Sequence, residues 1–427
     1  MLSEVAQRMG WEPAFNYRKP VEIFREYAAL SGFENEEPPS RFFDISALAM
    51  LSDAEYSQLE PVQWPLQPGA GSPVGSPRLF DATGRFPTPD GKARFVPTPY
   101  RPVAEPPEGN WPLLMNTGRV RDHGHTMTRT GRVPRLMRHT GEPALDIHPA
   151  DTEQLGLTER GFARVESRHG IVTLRVRLSP TQRRGEVFAA MHWTDRFGST
   201  GPIDRLVGAA TDPISGQPEL KATAVRVQPA AALWRGMLLR RAELPSPPLG
   251  PYYWARIPLS VGHAFEFAGW EPLPSGRAFE TWITELLGQP EDIELVIYAD
   301  PGRGEFRYAG LVGNELDACL FLARPAAPLP SRDDVAALLG SEIIDESRAR
   351  VLSGHLHLSD GVDNPGRTVC ACFAVGLRAL HRAITRGGLT SIAEIGAALR
   401  AGTNCGSCIP EISAILRDAR VTTGSLA

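Results

Sequence analysis

Four of the five cysteines lie between Cys370 and Cys408, as Cys370-Ala371-Cys372 and Cys405-Gly406-Ser407-Cys408. A C-x-C followed by a C-x-x-C supplies four thiolates, enough to hold one zinc ion or one [2Fe-2S] cluster. A structural zinc knuckle or a disulfide pair is the blander reading, although C-x-C is an uncommon half of a zinc site. Between the motifs, Phe373, Leu377, Leu380, Ala383 and Ile384 recur at helical spacing, which predicts a helix over 371–386 stopped by Gly387-Gly388. Ser391 with Glu394 reads as a capping box for a second helix over 392–400 that Gly402 ends. Pro410 sits where the first turn of a third helix over 411–417 would begin. Each thiolate pair is thus expected at a helix N-terminus, where free N–H groups and the positive dipole end lower thiol pKa. Around a cluster, the same donors tune its reduction potential.

A second stretch is rich in donors and poor in apolar residues. It runs Thr117-Gly118-Arg119-Val120-Arg121-Asp122-His123-Gly124-His125-Thr126-Met127-Thr128-Arg129-Thr130. Gly118 and Gly124 permit close backbone approach. Arg119, Arg121, His125, Thr126 and Thr128 offer the N–H and O–H donors that a pyrophosphate and a polar heterocycle require. From residue types alone, zinc at His123 and His125 or an ordinary solvated arginine loop remains open.

These stretches need a scaffold, and 427 residues are enough for two to four domains with real cores. Apolar content of 42% and charged content of 22% are ordinary for a globular protein. A net charge of −4 gives no basic field for nucleic acid. No apolar run reaches the roughly 18 residues of a membrane span. Residues 1–20 lack a secretory or twin-arginine signal, and the cysteine usage points to a reducing cytoplasm. Cys319, in an apolar run, reads as a buried core thiol.

Short amphipathic helices are expected over 2–11, 20–32 and 45–59, with Ser52 and Glu55 able to cap a turn in the last. Proline-rich chain follows, with a tight bend or hairpin at Pro89-Asp90-Gly91. Strands are predicted at 113–117, 144–147, 163–166, 171–178, 186–190 and 222–227, with a short helix over 150–155. Six short strands with few helices suggest a closed barrel. Residues 294–299, 305–311 and 316–322 read as an antiparallel meander turning at Gly313-Asn314, and 333–339 and 346–352 read as helices.

Two resemblances extend this reading. V-C-A-C-F-x-V-G, G-L-T-S-x-x-E-I and A-G-T-N-C-G-S-C-I-P-E resemble the bacterioferritin-associated-ferredoxin-like (BFD-like) [2Fe-2S] domain. That domain also occurs at the C-terminus of some assimilatory nitrate reductases. N-T-G-R, H-T-M-T-R-T, L-D-I-H-P-A-D, G-E-V-F-x-x-M-H-W and D-P-I-S-G-Q-P-E-L-K resemble the molybdopterin-dinucleotide-binding domain of prokaryotic molybdenum oxidoreductases, in its assimilatory nitrate reductase variant. P-V-Q-W-P and R-F-P-T-P-D-G-K-A-R-F match the same family.

The resemblance implies a multidomain, mixed fold. A remnant of the catalytic domain over 1–75 would precede a double-psi β-barrel over 76–228, an α+β connector over 229–365 and a small all-α [2Fe-2S] domain over 366–420. It implies cluster ligation by Cys370, Cys372, Cys405 and Cys408. It also implies that Thr117, Gly118, Arg119, Val120, Arg121, Asp122, His123, Gly124, His125 and Thr126 cradle one guanine-dinucleotide pterin. Asp204 and Lys221 lie where relatives place further contacts. Asp204 is a departure from the commoner Asn and would need a hydrogen-bond partner or Arg205.

Relatives bind molybdenum through a side chain and hold a [4Fe-4S] cluster near the N-terminus, yet no cysteine precedes Cys319 here. The expectation is therefore part of a bis(molybdopterin guanine dinucleotide) site and no catalytic residue, with the [4Fe-4S] cluster in a missing N-terminal half. Expected partners are that half, nitrate, and a ferredoxin, flavodoxin or NAD(P)H reductase as electron donor, in the cytoplasm, with neither nucleic acid nor membrane. The alternatives are a non-catalytic electron-transfer fragment, or part of a related enzyme such as a formate dehydrogenase.

Overall fold

The structure is a computed structural model that describes residues 1–35, 41, 43–66, 68, 84–86, 88–199, 201–244, 253–288, 292–353 and 366–424. It divides into two compact units, Met1–Arg101 and Pro102–Ala427. In the first, α1 (Leu2–Ala6) runs into a π-turn over Gln7–Trp11, α2 spans Pro20–Ser31, and α3 spans Asp53–Ser57. The Ser52/Glu55 capping box forms as expected, but the single stretch over 45–59 splits into a 3₁₀ turn (Ser46–Met50) and α3. At the Pro-Asp-Gly bend, Phe86 N–H donates to Gly91 O at 2.9 Å, and among the described residues no strand flanks it. The boundary expected at 75–76 lies outside the described residues.

The second unit begins with the barrel. Its strands are β1 (Leu113–Gly118), β2 (Ala144–Ile147), β3 (Phe162–Glu166), β4 (Ile171–Leu178), β5 (Glu186–Ala190) and β6 (Thr223–Pro229). They close in the order β1-β5-β2-β4-β3-β6, with β1/β5 and β2/β4 parallel. Period-two alternation sends Val172, Leu174 and Val176 of β4 inside with Met115, Leu145, Val165, Val187 and Val225, while Leu178 at the strand end stays exposed. Two short helices, α4 (Pro134–Met137) and α5 (Pro149–Gln154), lie in the connections.

The expected three-stranded meander is half of a larger sheet. Strands β7 (Trp234–Arg240), β8 (Tyr253–Pro258) and β9 (His263–Gly269) join β10 (Ile293–Asp300), β11 (Glu305–Val312) and β12 (Glu315–Ala323) in the order β10-β11-β12-β7-β9-β8. Helix α6 (Arg277–Leu287), which the sequence reading missed, packs Trp282, Ile283 and Leu286 with Trp234 and Phe267 of the sheet. Helices α7 (Arg332–Ala336) and α8 (Asp345–Ser353) follow. Met127, Met137, Trp193 and Phe197, from the barrel's loops, share one apolar cluster with Met237, Leu239 and Ile257 of this sheet. Cys319 is wholly buried in that cluster, and burial alone pushes its thiol pKa up.

The cysteine module holds a hairpin of β13 (Thr368–Cys370) and β14 (Val375–Gly376), then α9 (Leu377–Thr385), α10 (Ile392–Leu399) and α11 (Ile409–Gly424). The first helix therefore starts later than expected. Ala374, at φ 52°, closes the turn that lets Val375 pair with Cys370, and this breaks the helix that the apolar spacing suggested. The Ser391/Glu394 box caps α10 as expected. The module has its own core, from Val369, Leu380, Ile395, Ile412 and Leu416.

Candidate cofactor sites

The hairpin and the start of α11 present the four cysteines. Cys370 ends β13, Cys372 lies in the turn, and Cys408 directly precedes α11 and accepts from Ile412 N–H at 2.9 Å. Only the C-x-x-C is thus at a helix N-terminus; the C-x-C sits on a β-turn. The thiols stand as two pairs, each with one member from either motif. Cys372 Sγ lies 3.4 Å from Cys405 Sγ, and Asn404 Nδ2 donates to Cys372 at 3.3 Å. Cys408 interacts with Cys370, and both are buried, whereas Cys405 is exposed.

Among the described residues no group of three or more His, Cys, Asp or Glu side chains gathers as a single ion would require. Two thiol pairs suit a two-iron centre, in which each iron takes two thiolates, better than a four-thiolate zinc converging on one point. The Ser407 hydroxyl and N–H direct hydrogen bonds at Cys405 and hold its thiol below the usual range, which favours the ligating thiolate. Burial and the neighbouring Cys370 push Cys408 the other way, up to about 11. Arg400, the left-handed cap of α10, stacks its guanidinium 4.2 Å over the Phe373 ring beside Cys372.

The second site forms at one end of the barrel. The pairings bring the C-terminal ends of β1 and β5 and the N-terminal end of β6 together, so residues 117–126, 191–193 and 220–221 share that end. Thr117 is buried, donating from Oγ1 to Leu220 O at 2.6 Å, and Lys221 Nζ donates to Thr117 O. A Cβ on Gly118 would come within 2.7 Å of the Phe188 ring, so packing as well as ligand approach requires glycine there. A Cβ on Gly124 would meet the Thr130 side chain only at van der Waals distance, 3.9 Å, and the Gly124 N–H donates to Thr130 Oγ1 at 3.1 Å.

His192, outside the expected residues, holds the loop in shape. Fully buried, it accepts Val120 N–H at Nε2 (2.9 Å) and faces Gly124 O and His125 O from Nδ1 at 2.8 and 3.0 Å. Those partners require the neutral Nδ1-protonated tautomer, and burial lowers the imidazole pKa accordingly. Its M-H-W context was visible in the sequence, but nothing local showed what it would reach. His123 is also buried, against His192, Trp193, Thr130 and Thr140 O, and its pKa is lowered by burial.

The loop therefore has two faces. Arg119, His125, Thr126 and Thr128 are exposed and can present donors to a ligand, and Gly124 is exposed beside them. Thr117, Lys221 and His123 serve the barrel. Arg121 serves the cysteine module, donating from Nη1 to Glu411 Oε2 at 3.1 Å and from Nη2 to Val369 O at 2.6 Å. Asp122 is partly desolvated, but His139 at 3.0 Å and Arg121 hold its carboxyl below the usual range, and its charge extends to Cys405. Asp204 is exposed in a 3₁₀ turn (Ile203–Leu206) near the β3–β4 hairpin, and among the described residues no ion pair joins it to Arg205, one of the two partners considered for it. An exposed row of cationic and hydroxyl donors on a braced loop fits a phosphorylated heterocyclic cofactor.

Comparison with known proteins places both stretches in known domains. Residues 113–224 match the molybdopterin dinucleotide binding domain, and residues 368–418 match the BFD-like [2Fe-2S] binding domain. Over 420 residues, 97% of the chain, the sequence is 36% identical to a nitrate reductase of Klebsiella oxytoca, covering 45% of that protein. It is 30% identical over 234 residues to an assimilatory nitrate reductase catalytic subunit of Bacillus subtilis, covering 54% of this chain and 30% of the relative. An F420-dependent formate dehydrogenase subunit alpha of Methanocaldococcus jannaschii is 28% identical over 228 residues, covering 53% and 30%. The chain spans a little under half the length of the Klebsiella relative. No helix among the described residues is long and apolar enough to cross a membrane. The chain thus joins a molybdopterin dinucleotide binding domain to a BFD-like [2Fe-2S] binding domain, and along nearly its whole length it is similar to a nitrate reductase.

Proposed function

We propose that this chain is the cofactor-binding and electron-entry portion of a molybdenum-dependent assimilatory nitrate reductase, acting in the cytoplasm. The observation that carries the reading is the pair of sites in one compact unit, a four-thiol site beside a donor-lined loop, in a sequence similar to a nitrate reductase along 97% of its length. When bound, the cluster supplies one-electron transfer and the molybdenum pterin supplies the two-electron reduction of nitrate to nitrite.

In this reading Cys370, Cys372, Cys405 and Cys408 hold the cluster. The Ser407 and Asn404 donors aimed at Cys405 and Cys372 offset negative charge on sulfur. Exposed Cys405 marks the edge where an external carrier, a ferredoxin, flavodoxin or reductase, delivers electrons. Arg119 meets the dinucleotide phosphates, while His125, Thr126 and the Gly124 backbone line the same face. Buried His192 fixes that face before the ligand arrives, which lowers the ordering cost of binding.

The test measures nitrite formation with a reduced viologen donor. It compares this chain alone with the chain joined to the part of the Klebsiella oxytoca enzyme that it does not match. Nitrite should form only from the joined protein, and the same protein should not oxidise formate. A joined protein loaded with both cofactors that leaves nitrate untouched would overturn the reading.

A further inference from the structure

We propose that Arg121 is a positioning residue that docks the cysteine module on the dinucleotide-binding loop, so that loading the cluster stiffens that loop. The barrel and the module have separate apolar cores, and the hydrogen bonds of Arg121 cross from one to the other. All three guanidinium nitrogens of Arg121 are committed: Nη1 to Glu411, Nη2 to Val369 O, and Nε to Asp122 at 3.5 Å.

Both partners in the module adjoin cysteines. Val369 directly precedes Cys370 on β13, and Glu411 lies in the first turn of α11, just after Cys408. Glu411 is gripped from the module's side as well, by Arg367. The next loop residue, Asp122, is held by His139, and its charge reaches Cys405. Arg121 and Asp122 together therefore face both cysteine segments, while the same loop's backbone is fixed by His192. Arg121 is about four-fifths buried, with a side chain 20% exposed, so this charge-assisted pair is only partly screened by water.

Ligation of Cys370 and Cys408 fixes β13 and the start of α11, and hence the two acceptors that Arg121 holds. A free-energy coupling of this kind is reciprocal, so an ordered loop favours the assembled module equally. The inference concerns linkage between the two sites and is independent of the substrate reduced.

The test uses the full chain, iron-free and after reconstitution with iron and sulfide, read by hydrogen exchange at residues 119–126 and by the midpoint potential of the centre. In the wild type, reconstitution should slow exchange of the loop on the order of ten-fold, the equivalent of about 1.4 kcal/mol. In Arg121→Ala the cluster should still assemble, the slowing should vanish, and the potential should fall as a positive charge leaves its neighbourhood. Arg121→Lys should restore the potential but little of the slowing, because it keeps the charge and loses the fork. Glu411→Ala, on a helix that tolerates alanine, gives a second variant and should lose the same coupling. Equal slowing in wild type and Arg121→Ala, or none in either, would overturn the proposal.

Discussion

The imidazole of His192 accepts the N–H of Val120 at 2.9 Å and, from its other nitrogen, reaches the carbonyls of Gly124 and His125. One buried side chain from the segment after β5 thereby fixes the dinucleotide-binding loop at two places. Replacing His192 by Ala strands those groups and opens a cavity. The expected destabilisation is about 2–4 kcal/mol, since each buried group left unpaired costs about 1–3 kcal/mol. Chemical denaturation checks it, and a loss under about 0.5 kcal/mol, the range of ordinary surface changes, would show that water replaces the imidazole.

The same residue makes stability depend on pH. Burial lowers the folded-state pKa of both His192 and His123, so the folded protein refuses a proton that the unfolded chain accepts. Their contribution is full above the unfolded value, about 6.5, and is lost as pH falls through the lower folded values. Protonated His192 could no longer accept from Val120. The stability difference between wild type and His192→Ala should therefore be constant from pH 7 to 8 and shrink on acidification. A difference that grows below pH 6 would mean that the folded state favours the imidazolium, and would overturn the lowered pKa assigned to the buried ring.

Arg119 is exposed on the loop and makes no ion pair among the described residues. Enclosed with a phosphorylated ligand, it would form bidentate, charge-assisted bonds, and losing such a partner costs roughly 2–5 kcal/mol. Arg119→Ala should lower pterin and molybdenum content of the loaded enzyme by tens to thousands of fold in affinity, while the iron content stays constant. His123→Ala should act through stability instead, because that ring faces the interior. Full molybdenum occupancy in Arg119→Ala would make the loop a solvated surface.

Purified anaerobically, the chain should contain about two irons with labile sulfide and give a rhombic resonance on reduction. Cys405→Ser should abolish that signal. Cys319→Ser, in the core cluster, should keep the signal and lose some stability. Stoichiometric zinc without sulfide would instead favour the mononuclear site.

Local pattern made much of the architecture legible. The barrel strands show in the sequence as short runs of apolar alternation bounded by turn residues, and the Ser391/Glu394 cap joins residues three apart, so short-range spacing is enough to locate them even though the strand pairing is long-range. β7 was missed because it is covered along nearly its whole length, and a strand buried on both faces has no period-two signal. Helix α6 did carry a readable stripe, with Phe279, Trp282, Ile283 and Leu286 three or four residues apart, and was overlooked.

The sequence by itself determined which residue types were available: four thiols in two motifs, a donor-dense loop between glycines, and the periodicity to build a barrel under them. Only the tertiary structure decided how those groups were shared out. Arg119 and Arg121 are two residues apart and chemically identical, yet one is exposed and the other is bound to Glu411, 290 residues away. His192 became the brace of a loop that begins more than seventy residues earlier. Such roles depend on which distant acceptors the chain's path brings within about 3 Å, a distance that short-range spacing does not encode.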